Sequence, residues 1–126
     1  LRNGQFVRTS QRTSLSGARV PADAVPRVDS DLVPVEKPNS IALRMAMVAA
    51  GEADLVATLR WGFEWDIAAA ALIAQEAGAT VTDARGNTLR YNSTRGDAFG
   101  VLAASPGIHA EAVSRLADRA NSAFVR

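Results

Sequence analysis

The chain has no cysteine, and all of its 14 basic residues except Lys37 are arginine. Without thiols, cysteine catalysis, disulfides and thiolate metal sites are excluded. No apolar run approaches the roughly 18 residues needed to span a bilayer, which excludes a membrane-spanning helix. The formal net charge is +1 and the charges are spread along the chain. A nucleic-acid polymer as partner would need clustered Lys and Arg, so it is excluded too. The excess of Arg and Ala reads as coding bias in a GC-rich genome rather than as a binding surface. The opening residues, Leu1-Arg2-Asn3-Gly4, do not form a signal peptide. A cytoplasmic protein is the default expectation. A start without methionine, already inside a turn-like Asn3-Gly4, leads to the expectation of a fragment of something larger.

What is present makes one small domain of 126 residues with an ordinary hydrophobic share of 48%. Asn3-Gly4 is a strong turn signal, and Gln5 to Thr9 after it alternates like a strand. A short strand is expected at Ala18 to Val20. Residues 21–39 hold four of the five prolines and read as an irregular connection. Asn39-Ser40 then caps a helix from about Ile41 to Ala50, closed by Gly51. Asp54 to Leu59 reads as a buried strand, Arg60 to Trp65 as a loop, and Asp66 to Ala77 as a helix stopped by Gly78. Strands follow at 79–82, 88–91 and 100–104, with a turn at 85–87, and a last helix covers about 107–120. Strands and helices alternate from residue 40 onward. The expected architecture is α/β, with a mixed, mostly parallel sheet and helices on both faces.

Residues 64–78, Glu-Trp-Asp-Ile-Ala-Ala-Ala-Ala-Leu-Ile-Ala-Gln-Glu-Ala-Gly, carry the most chemical information. A carboxylate sits where an apolar helix begins, after a strand. That position suits a hard divalent cation or an ordered phosphate. The alternative for Asp66 is helix capping, where a carboxylate meets free N–H groups.

The same stretch resembles the second signature of the inositol monophosphatase superfamily, in which Trp-Asp-x-Ala-(Ala/Gly) leads through apolar residues to Glu-Ala-Gly-Gly. Trp65-Asp66-Ile67-Ala68-Ala69 through Gln75-Glu76-Ala77-Gly78 matches it closely. The run from Ser40 to Gly51 with Ala53-Asp54 resembles the family's upstream helix and strand, and Asn3-Gly4 its Asn-Gly turn. Two positions depart: Asn39 and Ala70 stand where the family usually has glycine. The resemblance implies the C-terminal subdomain of that fold. The N-terminal half, with a Glu and an Asp-Pro-Leu/Ile-Asp-Gly-Thr segment that hold most of the metal, is absent from this chain.

By that resemblance Asp66 ligates one Mg²⁺, the implied cofactor, and the partners are a small phosphorylated substrate and the missing N-terminal half. Glu64 before Trp-Asp resembles the bisphosphate-nucleotidase branch and could contact a sugar hydroxyl; an exposed loop carboxylate is the alternative. Arg44, on an otherwise apolar helix where that branch has Lys, and Arg60, near Asp66, are candidate phosphate ligands. The alternative for Arg44 is a snorkelling surface side chain. Ser40 could present its N–H or hydroxyl to substrate at a helix N-terminus, or simply cap. Trp61 and Trp65 read as packing residues, and the lone His109 as solvent-exposed.

The implied activity is that of an Mg²⁺-dependent phosphomonoesterase, leaning to 3′(2′),5′-bisphosphate nucleotidase, with inositol-1-monophosphatase as the alternative. A different class stands beside it: a truncated, non-catalytic folding or association module, since one carboxylate cannot assemble a multi-metal site. Loss of the partner half should uncover an apolar face, so a homodimer is expected.

Overall fold

A computed structural model describes residues 8–87 and 97–124 of the chain. The described elements are β1 (Arg19–Pro21), a 3-10 turn (Arg27–Asp29), β2 (Val33–Val35), α1 (Ile41–Ala49), β3 (Leu55–Phe63), α2 (Glu64–Glu76), β4 (Thr80–Thr82), β5 (Asp97–Ala104) and α3 (His109–Phe124). The expected strands at 5–9 and 88–91 lie wholly or largely outside the described residues. Thr9 itself is not in a strand.

The α/β class holds, and so do helices on both faces. Strand residues alternate between two cores, as a period of two requires. Val56, Val81, Val101 and Ala103 meet Met45 and Val48 of α1 and Ala71 and Ala74 of α2. Leu55, Leu102 and Ala104 point the other way, onto Ile108 and onto Ala112 of α3. The chain is therefore a three-layer unit, with α1 and α2 on one side of the sheet and α3 on the other.

Strand direction corrects the expectation of a mostly parallel sheet. The larger sheet has the order β3-β5-β4, and β5 is antiparallel to both neighbours. The physical reason lies in the burial. A sheet covered on both faces makes its strands unbroken apolar runs, the pattern ordinarily typical of parallel sheets. The β3-α2-β4 unit does run parallel at its two ends, but β5 inserts between its strands. Among the described residues only β1 and β2 pair in parallel, with Arg19 opposite Val33. Residues 21–39, expected to be irregular, contain the 3-10 turn and β2. Two bidentate ion pairs fix that segment to α3: Arg119 to Asp29 at 2.8 and 3.1 Å, and Arg115 to Asp31 at 2.8 Å twice.

The join between the layers is Asp54, whose side chain is 1% exposed. It accepts from the Ser10 hydroxyl at 2.6 Å, the Arg19 backbone N–H at 2.8 Å and the Arg19 guanidinium at 3.0 Å on each oxygen. The same guanidinium donates to the Gly51 carbonyl at 2.7 Å, just past the end of α1. One residue before Ser10, the Thr9 N–H donates to the Ala77 carbonyl at 2.9 Å, at the end of α2. Both helices thus finish at one edge of the sheet, held to a single carboxylate. Burial by itself would push the Asp54 carboxyl up; the bonds from Arg19 and Ser10 outweigh it and bring it to about 2.

A glycine matters where β3 bulges. The pairing register between β3 and β5 shifts between Thr58 and Trp61, and Gly100 lies opposite the extra residues with φ +66. A Cβ there would collide with the Thr58 carbonyl oxygen and lie 2.7 Å from Cβ of Ala84. Gly100→Ala is expected to cost about 2 kcal/mol or more, read from the urea midpoint. For Asp54 the folded pKa lies below the ordinary carboxyl value. Its stabilisation is therefore complete above about pH 4 and lost as pH falls toward 2. Between about pH 5 and pH 2, wild type should lose about 2 kcal/mol more unfolding free energy than Asp54→Asn, which starts about 2–3 kcal/mol lower.

Candidate functional site

The candidate site lies at the edge opposite Asp54. Because α1 and α2 pack side by side and end together, they also begin facing the same way. Two helix N-termini, each with unsatisfied N–H groups and partial positive charge, are directed to one end of the sheet.

At the start of α1, Ser40 has extended backbone (φ −79, ψ 129) and its side chain accepts from the Leu43 N–H at 3.3 Å. It is exposed, and it caps the helix. Arg44, one turn on, folds back over the chain that enters the helix. Its Nε donates to the Pro38 carbonyl at 2.8 Å and its Nη2 to the Asn39 carbonyl at 2.9 Å. Two of its five N–H groups therefore hold the 38–40 turn in place, while its charge stays at the positive end of α1. This local clasp was not visible in the sequence, where Arg44 read as either a phosphate ligand or a snorkelling cation. Asn39, where the family usually has glycine, is exposed, and its carbonyl serves that clasp. Ala70, the second departure, is buried in the helix–sheet core, where its methyl group fills space.

At the start of α2 the expected loop from Arg60 to Trp65 does not exist. β3 continues to Phe63 and α2 begins at Glu64 without a break. Arg60 consequently stands in β3, Glu64 is the first residue of α2, and Asp66 is the third rather than the cap. A first-turn carboxylate still meets the positive end of the dipole. The side chains of residues 59–67, which include Arg60, Trp61, Glu64, Trp65 and Asp66, lie outside the described residues. Ser40 and Arg44 meet at one helix start, and Glu64 and Asp66 share the other.

Mg²⁺ requires hard oxygen donors in octahedral array. The first turn of α2 supplies two carboxylates and the chain no sulfur ligand of the thiolate kind, so the donor chemistry fits a contribution to such a site. Among the described residues no group of three or more His, Asp or Glu is gathered as a metal site would need. The side chains of Glu64 and Asp66 lie outside the residues to which that statement applies.

Two further places carry polar groups away from this edge. His109, expected to be exposed, is half-buried at the start of α3, its Nε2 2.9 Å from Thr82 Oγ1. That hydroxyl gives its hydrogen to the Asp83 carbonyl at 2.8 Å, so Nε2 carries the proton and donates to it. Burial lowers the His109 pKa. A cavity of about 190 Å³ lies on the α3 side of the sheet, between Leu55, Ala57, Val25 and Leu116. The charged groups in its lining, Asp29, Arg115 and Arg119, are already ion-paired. It is remote from the helix starts and does not belong to the candidate site.

A three-layer α/β unit with two helix N-termini set side by side, one carrying paired acids, is the kind of scaffold that handles phosphate groups. The sequence matches the inositol monophosphatase family over residues 3–124, and the chain belongs to that family. Among solved structures it is similar to an inositol monophosphatase of Thermotoga maritima, with 27% identity and a TM-score of 0.77, over 96% of this chain and 48% of that one. It is also similar to a staphylococcal inositol monophosphatase II (18%, TM-score 0.77, covering 98% and 51%). A third is the inositol monophosphatase of Anabaena (24%, TM-score 0.70, covering 89% and 48%). No curated protein sequence matches it. The chain spans about half the length of the solved relatives.

Ser40→Ala should lower stability by about 1 kcal/mol in thermal or urea unfolding. Arg44→Lys keeps the charge but loses the forked reach to both carbonyls. It is expected to loosen the 38–40 turn, seen as faster amide exchange at Leu43 and Arg44.

Proposed function

We propose that this chain is the C-terminal part of an Mg²⁺-dependent phosphomonoesterase acting on a small phosphorylated substrate in the cytoplasm, leaning to a 3′(2′),5′-bisphosphate nucleotidase. The observation that supports the reading best is the pair of co-directed helix starts in a chain of this family, with Glu64 and Asp66 in the first turn of α2. When bound, Mg²⁺ supplies charge neutralisation and polarises phosphoryl oxygen and water. Asp66 would hold it with one carboxylate oxygen, alongside ligands from an N-terminal half that this chain lacks. The α1 start would take the phosphate on its free N–H groups, with Ser40 next to it. Arg44 serves first by fixing the 38–40 turn, and its charge there favours an anion. Arg60 and Glu64 are assigned to a second phosphate and a sugar hydroxyl respectively. The nucleotidase leaning rests on Glu64 and Arg44. The staphylococcal relative has been solved with inositol monophosphate and with 2′AMP, so both substrate types need testing.

In the intact protein with Mg²⁺, phosphate release from adenosine 3′,5′-bisphosphate should exceed that from inositol 1-phosphate. The reverse preference would move the assignment to inositol-1-monophosphatase. Asp66→Asn should lower the rate at least about a hundredfold with an unchanged circular dichroism spectrum.

The second reading, a non-catalytic association module for these 126 residues alone, rests on the argument that one carboxylate cannot assemble a multi-metal site. Phosphate release from this polypeptide by itself, lost in Asp66→Asn, would refute it. The homodimer expected from the sequence would use the exposed apolar side chains Leu43, Leu72 and Ile73.

A further inference from the structure

Segment 21–32 roofs the cavity on the α3 side of the sheet. Its 3-10 turn, Arg27–Asp29, is braced from α3 by the bidentate pairs of Arg119 with Asp29 and of Arg115 with Asp31. Beneath that brace the side chains that could fill the space are short: Ala22 and Ala24 from the segment, Ala57 from β3 and Ala112 from α3. What they leave open is the volume of about 190 Å³, walled further by Leu55 and Leu116. Ala24 and Pro26 are exposed and mark its mouth.

Water fills such a space poorly. A buried water needs about two to four polar partners, and methyl groups offer none; a cavity of about 150 Å³ with aliphatic walls stays dry and takes up benzene. The charged groups in the lining are Asp29, Arg115 and Arg119. Asp29 is 5% exposed, and Arg119 fills two of the roughly four acceptor positions of its carboxylate. A buried acceptor with spare lone pairs gains from one more donor. The charges beside the cavity balance, Asp29 and Asp31 against Arg115 and Arg119, so neither an anion nor a cation is drawn in. We propose that the cavity between segment 21–32, β3 and α3 is a binding site for a small uncharged aromatic molecule with one hydrogen-bond donor. The ring lies among the alanine and leucine side chains, and its N–H or O–H donates to the Asp29 carboxylate. The site is across the sheet from α1 and α2, and it stands whether or not the chain serves a phosphatase.

Indole is the probe, titrated calorimetrically into the full-length protein, with benzofuran beside it as a ring of the same shape without a donor. Indole is expected to saturate one site per chain with a Kd of about 1 mM or tighter. Its binding should also raise the melting temperature as its concentration passes Kd. Benzofuran is expected to bind at least about fivefold more weakly. Ala57→Leu and Ala22→Leu each place a larger side chain in the cavity and should weaken indole binding at least about tenfold. Both replace half-buried residues, and where one variant folds poorly the other decides. Leu72→Ser, on the exposed face of α2, should leave the affinity unchanged. Failure to saturate by about 10 mM indole overturns the proposal. Binding that survives both leucine variants, or that is lost in Leu72→Ser, overturns it as well, since it marks adventitious contact with apolar surface elsewhere. Equal affinity for benzofuran removes the role of Asp29 and overturns the ligand class.

Discussion

The arrangement of this chain depends on one buried carboxylate. Asp54 collects donors from the entering segment at Ser10, from β1 through both the backbone and the side chain of Arg19, and, through that guanidinium, the end of α1. An isolated charge at that depth would be strongly unfavourable, and only the full set of donors offsets its desolvation. The carboxylate also feeds the fold: its own backbone N–H donates to the Arg19 carbonyl and its carbonyl accepts from Ser105. Edge, strand and helix ends are thereby set at the end of the sheet remote from the candidate site. With the C-termini of α1 and α2 gathered there, their positive ends have only the other edge to face.

Much of this was readable from residues, and the misreadings have identifiable causes. The helix ends were legible because Gly51 and Gly78 follow apolar runs and Ser40 precedes one. The Trp65 to Gly78 stretch carried the family through its own sequence. Strand direction was not legible, because a doubly covered strand such as Val101 to Ala104 presents the same apolar run in either orientation. The stretch from Arg60 to Trp65 looked like a loop because it mixes Gly, aromatics and charges; pairing with β5 keeps it extended to Phe63. Nothing local marks Asp54 as a hub, since its partners lie 35 and 44 residues away. Arg44 is the reverse case: its partners are only five and six residues back, but a guanidinium folding onto carbonyls before its own helix leaves no periodic trace.

Membership of the inositol monophosphatase family agrees with what the geometry can and cannot do alone. The chain provides two helix starts and first-turn acids, while its described residues assemble no complete metal cluster. The described flank of α3 is charged, while that of α1 and α2 exposes Leu43, Leu72 and Ile73.

The position of β5 has a consequence for how the chain is made. Among the described strands, the one at the centre of the larger sheet comes last in the chain, and it lies between two neighbours linked by α2. Before β5 is made, β3 and β4 lack the backbone partner that β5 gives each of them. A nascent chain in that condition offers two receptive strand edges, which foreign strands can occupy as readily as the native one. Pairing of β5, late and nonlocal, is what turns a helix-linked pair of edges into a sheet.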